Sequence, residues 1–273
     1  MILPHLKYIA KQFIQPRQYK LRRIYNTPRY TPIQSNILGS EIIILDGASF
    51  FHSYKEIFEQ EIYAFSTKNL SPTIIDGGAN IGLSTIYLKK LFPTSKVYAF
   101  EPDPNVFKVL EANIRAFGYS NVELINKALW HTETIVQFMG EGADAGHLSY
   151  KKDIGVEDKN NNMVQTTRLC NYLHQEIDFL KLDIEGAEVE VVLDCSDYLQ
   201  NVRNIFVEYH SFEGQEQRLD ELLCILNKSG FRVQIHSQFA SPQPLLNQVT
   251  RLEIDFQLNI FGYRPLKNEY STH

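Results

Sequence analysis

Residues 73–92 read TIIDGGANIGLSTIYLKKLF. A short β-branched run ends in Asp76 and passes through Gly77, Gly78 and Gly82. It then becomes a helical stripe of Leu83, Ile86, Tyr87 and Leu91 that Pro93 stops. A strand, a glycine turn and a helix in that order expose backbone amides and a helix N-terminus to a ligand. In an open α/β sheet the usual occupant of such a crevice is a nucleotide-containing cofactor.

Downstream the pattern repeats. A strand, KVYAF, ends at Glu101, and a helix follows with Asp103 at its N-cap, Pro104 in its first position and Gly118 at its end. VELIN (122–126) is a third strand, 134–138 a short one, and structure resumes at Val164–Leu173. Phe179–Asp183 is a fourth core strand leading into a helix over Ala187–Leu193, and NIFVEYH (204–210) is a fifth. A helix over 217–227 precedes a closing pair of strands, 231–236 and 256–263, with loop between them. Strand–helix alternation of this kind predicts a parallel sheet. Residues 141–162, rich in Gly, Asp, Asn and Lys, break the period and read as a segment beside the substrate or a plain surface loop.

Upstream, residues 3–14 fit an amphipathic helix ended by Pro16, and 17–38 a basic, aromatic loop. A short strand at 42–45 and an amphipathic helix over 53–65 follow, with a hinge at 66–72. The expected organisation is a basic extension over 1–70, a cofactor-binding domain over 71–266 and a tail over 267–273.

At 273 residues, 44% hydrophobic and 22% charged, the composition is that of a soluble globular chain. No apolar run approaches the ~20 residues of a membrane span. The N-terminal segment is interrupted by His5, Lys7 and Lys11, unlike a signal peptide. Three dispersed cysteines lack metal-ligand spacing, so a reducing cytoplasm is the expected location. Of the 27 Lys and Arg, seven fall within residues 1–40, which hold no Asp or Glu, leaving 20 against all 32 acidic residues in the rest. Such an arm suits contact with an anionic membrane surface or a phosphorylated substrate, and equally a solvated extension. The acidic body argues against nucleic acid as a partner.

A dinucleotide site wants G-x-G-x-x-G; here the register is Gly77-x-Ala79-x-x-Gly82, without the middle glycine that admits a pyrophosphate. A cofactor with a cationic amine and no phosphate better explains Asp76. S-adenosylmethionine fits, its ribose accepted by Glu101 at the end of the second strand.

DGGANIG (76–82), AFEPDP (99–104), Asn126-Lys127-Ala128-Leu129 and above all KLDIEGAE (181–188) resemble the FkbM-type family of S-adenosylmethionine-dependent methyltransferases over roughly residues 54–236. The resemblance implies an α/β, Rossmann-like seven-strand methyltransferase sheet, mostly parallel with the last strand antiparallel, preceded here by a small α+β extension. It implies O-methylation of a hydroxyl on a glycan or other small molecule. It places Asp76, Gly78, Asn80 and Gly82 around the cofactor's amino-acid portion, Glu101 on the ribose, and Pro102, Asp103 and Ala128 by the adenine. For Asp103 the N-cap is itself a sufficient role.

Methyl transfer needs an acceptor oxygen aligned about 3 Å from the methyl carbon, with water excluded and, for an alcohol, a base. The carboxyl ends of the fourth and fifth strands supply Asp183, Glu185, Glu208 and His210. Glu208 and His210 lie two apart on a strand and so share a face, and His210 titrates near neutrality. Asp183, in an apolar strand, needs a partner, which Lys181 can provide. Glu188 at a helix start fits a cap, and His147 is a further, weaker candidate for meeting the acceptor. These carboxylates are hard ligands, but their spacing compels no metal, and none is expected. A non-catalytic cofactor-binding partner protein, an RNA or protein methyltransferase and a nicotinamide-dependent oxidoreductase stay open as alternatives.

Overall fold

The computed structural model describes residues 16–140, 146–148 and 161–265. Its centre is β3 (Thr73–Gly77), whose β-branched residues suit a strand buried on both faces. Parallel neighbours flank it: β4 (Lys96–Phe100) and β5 (Val122–Ile125) on one side, β10 (Ile177–Leu182) and β11 (Val202–Phe212) on the other. Beyond β11 the chain reverses. β13 (Ile254–Tyr263) runs antiparallel between β11 and the edge strand β12 (Arg232–Ala240), completing a seven-strand sheet. The expected Rossmann-like sheet, with its last strand antiparallel, is therefore present. A second sheet of four strands, β6 (Ala128–Leu129), β7 (Ile135–Gly140), β8 (Gly146–Leu148) and β9 (Asn161–Thr167), follows β5.

The period of 2 divides the core between the two faces. Ile75, Leu180, Leu182 and Val207 pack under α5 (Glu188–Asp194) and α6 (Leu219–Lys228) through Val191, Val192, Leu222 and Leu226. Ile74, Val97, Phe179 and Phe206 pack on the other face against α3 (Leu83–Leu91) and α4 (Pro104–Ala116). That second core also contains the N-terminal segment: α1 (Pro16–Tyr25), the β1–β2 hairpin (Ile33–Ser35, Ile42–Ile44) and α2 (Gly47–Tyr54). Phe50 is 2% and Tyr54 1% exposed, and full burial of a side chain of this size is worth roughly 1.5–3 kcal/mol. Asn113 on α4 fixes the hairpin, accepting from Ile43 N at 2.7 Å and donating to Ile43 O at 3.0 Å. The extension thus closes one face of the sheet.

Several local expectations change. Residues 17–38, expected as loop, hold α1 and β1; Pro16 begins α1, because its missing N–H and fixed φ suit a first helical position. The helix expected over 53–65 starts earlier, at Gly47, because Asp46 caps it. It continues as a π turn over Lys55–Glu59 and stops before Glu61, whose φ is 55°. β12 runs on to Ala240, so the loop after it is shorter than expected. The helix expected over 3–14 lies outside the described residues, as does most of 141–162; what is described of the latter belongs to β8 and β9.

Asp46 is the polar pin of the extension. One carboxylate oxygen accepts from Ala48 N, Ser49 N and Ser49 Oγ at 3.1, 3.0 and 2.9 Å; the other takes Arg29 Nε and Tyr30 N, both at 2.8 Å. Burial works to raise its pKa, but these donors together hold it down at about 2. A carboxylate depressed in the folded state stabilises it above the unfolded value of 3.8, and that contribution disappears as pH falls through about 2. Asp46→Ala is expected to cost about 1–3 kcal/mol near neutrality. Urea unfolding of the two proteins at pH 7 and near pH 2 checks this: the difference between them should shrink at the acid end.

Candidate active site

The site lies where the strand order turns, between the carboxyl ends of β3 and β10, the usual ligand position in open α/β sheets. Gly78 has φ +77°, and a Cβ there would come within 1.8 Å of Asp183 O, so only glycine lets the two strand ends approach. Asp183 N donates to Gly77 O across the same gap at 3.2 Å.

The amides of the turn do not form an open anion cradle. Gly78 N and Ala79 N both donate to Phe100 O, at 3.1 and 2.8 Å, and Gly82 N to Ala79 O at 2.8 Å. Asn80 N goes to Glu101 Oε2 at 3.0 Å, and Ile81 N to Asn80 Oδ1 at 2.6 Å. Every amide from 78 to 82 is spent inside the protein. A pyrophosphate would need those donors; a cofactor without phosphate does not. The expectation of amides presented to the ligand is corrected here, because the turn closes on β4 instead.

A cavity of about 190 Å³ opens on the face that the extension covers. Gly78, Asn80, Ser84, Lys181, Asp183, Glu185 and Glu208 line its sheet side, and Ser49, Ser53, Glu56 and Tyr63 line the extension side. Alternation explains the polar patch. Phe179, Lys181 and Asp183 share one face of β10 and its end, as do Phe206, Glu208 and His210 on β11, with Lys181 in register with Phe206. Each strand is therefore apolar towards the middle of the sheet and charged at its carboxyl end.

Asp76 lies beneath this floor rather than in it, 0% exposed. Its Oδ2 accepts from Ser84 Oγ and Thr85 Oγ1, both at 2.6 Å, and Oδ1 stands 3.5 Å from Lys181 Nζ. Lys181, equally buried, donates to Gly77 O and Gly78 O at 3.1 and 2.8 Å and pairs with Asp183 at 3.2 Å. Burial disfavours its charge, yet Asp183, Asp76 and Glu208 more than compensate and raise its pKa.

Glu101 is buried on the β4 side of the turn, where Asn80 N and Asp103 N donate to its two oxygens at 3.0 and 2.9 Å. Burial pushes it up to about 8 in spite of those donors. Asp103 caps α4, accepting from Asn105 N at 2.8 Å. The carbonyl of Pro102 accepts from Asn126 Nδ2 at 3.0 Å, and Ala128 is buried in β6. Gly82, at φ +96°, packs on Leu110 and Ile114 at the start of α3. The structure thus brings Gly78 and Asn80 together with Asp183, Glu185 and Glu208. Asp76, Gly82 and Glu101 frame the turn from below and behind, and Pro102 and Ala128 lie towards β5 and β6.

His210 is not a cavity-lining base. Its side chain is 3% exposed, and Nδ1 meets Glu188 Oε1 at 3.2 Å. Burial favours the neutral ring, but Glu185, Glu188 and Glu208 prevail and hold its pKa well above the ordinary value. Glu188 also receives the amides of Ile184 and Gly186, at 3.1 Å for each on Oε1, and so shapes the turn. Glu185 sits in that turn at φ 56°, a strained value for a side-chain-bearing residue. Burial raises it to about 7 although His210 pulls the other way. Burial and Asp183 raise Glu208 well above the ordinary carboxylate range, and Gln257 donates to it. Sequence reading missed Ser84 and Thr85, legible as hydroxyls one helical turn beyond the glycines. It also missed Glu56, Ser49, Ser53 and Tyr63, which carry no local signal because only docking of the extension brings them here. His147 lies in β8; its side chain is outside the described residues.

The family model of the FkbM methyltransferase domain matches residues 76–233, from the β3 turn to the start of β12. The chain belongs to the FkbM methyltransferase family. Its cofactor is S-adenosylmethionine, as the motifs implied. Methyltransferase sdnD of Sordaria araneosa is 27% identical over 73% of this chain and 88% of its own. The 31-O-demethyl-FK506 methyltransferase FkbM of Streptomyces tacrolimicus is 24% identical over 66% of this chain and 81% of its own. The 2-O-methyltransferase NoeI of Sinorhizobium fredii is 23% identical over 53% and 67%.

In this FkbM-family chain the residues present suit that cofactor: a turn with no spare amides for phosphate, a carboxylate at the end of β4, and an acidic cavity for a sulfonium. Above about pH 8, where Glu101 is ionised, Glu101→Ala is expected to weaken S-adenosylhomocysteine binding tenfold or more, since a hydrogen bond to a charged group is worth about 1.5–3 kcal/mol. Because Glu101 ionises only near pH 8, and the ionised carboxylate is the better acceptor for ribose hydroxyls, wild-type affinity should rise from pH 7 through 8. Calorimetric titration checks both; equal affinity of the two proteins would sink the ribose assignment.

Proposed function

We propose that this chain O-methylates a hydroxyl of a small molecule or glycan. What carries the reading is the carboxylate-lined cavity beside the β3 turn, bounded by Asp183, Glu185 and Glu208. Two of the relatives are O-methyltransferases by name. The cofactor supplies a methyl group on a sulfonium, whose sulfur leaves with the electron pair of the broken carbon–sulfur bond. The chain must place the acceptor oxygen in line with that bond, keep water out and take up the hydroxyl proton as the new oxygen–carbon bond forms. The α2 side chains Ser49, Ser53 and Phe50 cover the cavity, and the carboxylate cluster receives the proton.

The basic segment is partly committed to the fold. Arg29 is held by Asp46, and the Arg17 guanidinium lies over the Tyr54 ring at 5.3 Å. Contact of its remaining basic side chains with an anionic acceptor or surface belongs to this proposal. Among the described residues no helix is long and apolar enough to cross a membrane.

Incubation with S-adenosylmethionine and a panel of sugars and polyketide alcohols, read by mass spectrometry, should show a gain of one methyl on oxygen. Asp183→Asn should lower turnover by roughly 10²–10⁴-fold, the usual contribution of a positioned base, with S-adenosylhomocysteine affinity held. Methylation on nitrogen or carbon, or full activity of the variant, overturns the reading.

A further inference from the structure

The carboxylate cluster poses a charge problem that the methyl-transfer reading leaves open. Asp183, Glu185, Glu188 and Glu208 gather around a single imidazole and a single ammonium, and Lys181 is shared with Asp76. Carboxyl groups crowded in this way hold a proton, as burial favours for Glu208, or take a further cation.

The geometry supplies a place for one. One ligand atom each from Asp183, Glu185 and His210 lies within 4.8 Å of the other two, the spacing of donors that share one ion. The imidazole is oriented for this. Nδ1 faces Glu188, leaving Nε2 towards the cavity carboxylates, 3.6 Å from Glu185 Oε2 and 4.0 Å from Glu208 Oε1. Those distances exceed a hydrogen bond, so Nε2 of this buried side chain meets the two carboxylates through charge alone. A carboxylate behind one ring nitrogen fixes the tautomer whose other nitrogen ligates metals.

We propose that Asp183, Glu185 and His210 bind one divalent cation, with Glu188 as the positioning residue behind the histidine. Two carboxylates and an imidazole form a mixed oxygen–nitrogen set that suits Mn²⁺ better than Mg²⁺ or Ca²⁺, which favour all-oxygen shells. Three protein ligands leave further positions open to the cavity. An acceptor able to fill two of them, a vicinal diol or an α-hydroxy acid, is held with one oxygen polarised and fixed in place. This substrate class rests on the O-methylation reading; the ion site itself does not.

Titration of the purified protein with MnCl₂, read by electron paramagnetic resonance, should remove one equivalent of free-ion signal. Electron spin-echo modulation should show one coupled imidazole nitrogen, absent in His210→Gln. Asp183→Asn and Glu185→Gln should each weaken binding at least tenfold, and Glu188→Gln by roughly 10–100-fold, the usual effect of a supporting partner. Circular dichroism and unfolding curves establish that each variant is folded. Failure of the wild type to bind Mn²⁺ at about millimolar ion, or unchanged affinity in the folded Asp183→Asn/Glu185→Gln double variant, overturns the site. A separate S-adenosylhomocysteine titration keeps the two readings apart: its failure removes the methyltransferase reading, whereas failure with Mn²⁺ alone removes only the ion.

Discussion

The structure depends on one buried ammonium. Lys181 has three protons and four acceptors in reach: the carbonyls of Gly77 and Gly78, Asp183 and Asp76. The three shorter contacts consume the protons, and Asp76 Oδ1, 3.5 Å away, is left without a hydrogen bond. The Asp76 carboxylate is therefore stabilised on that side by charge alone, and on the other by the Ser84 and Thr85 hydroxyls. A buried pair like this adds little to stability in itself, but loss of one partner costs about 3–5 kcal/mol because the other charge is stranded. What the pair secures is geometry. It ties the end of β3, the turn after it and the end of β10 to one point, and those three segments form the floor of the cavity.

Much of this fold was legible because its signals are local. DGGANIG marks a strand, a glycine turn and a helix start without knowledge of partners. Asp103-Pro104 marked the next helix for the same reason. The polar alternation at the carboxyl ends of β10 and β11, Lys181-x-Asp183 and Glu208-x-His210, also follows from chain geometry alone. By contrast, the covering of the cavity by α2 rests on burial of Phe50 and Tyr54 and on Asn113 reaching Ile43, contacts between residues far apart in sequence. Ser49, Ser53, Glu56 and Tyr63 accordingly carried no mark of function.

Roles were harder to read than positions. His210 looks in sequence like a neutral-pH base, yet inside the fold it is a buried imidazole surrounded by Glu185, Glu188 and Glu208. Glu188 looks like a helix-start carboxylate, yet it holds both His210 and the amides of the 183–188 turn. Glu101 looks like a free ribose acceptor, yet each of its oxygens already receives a backbone amide. In each case the freedom of the side chain is set by neighbours that spacing alone does not reveal.

The amides of residues 78–82 separate this turn from a phosphate-binding loop more firmly than the missing glycine at Ala79 does. A phosphate cradle keeps its N–H groups for the ligand; here Phe100 O and the Glu101 carboxylate take them. The turn therefore offers the cavity no free N–H donor. The fields that remain are those of the carboxylates and of Lys181, and they favour a cation. The methyl donor's sulfonium and the proposed ion would answer the same electrostatic demand, where β3 and β10 meet at Gly78.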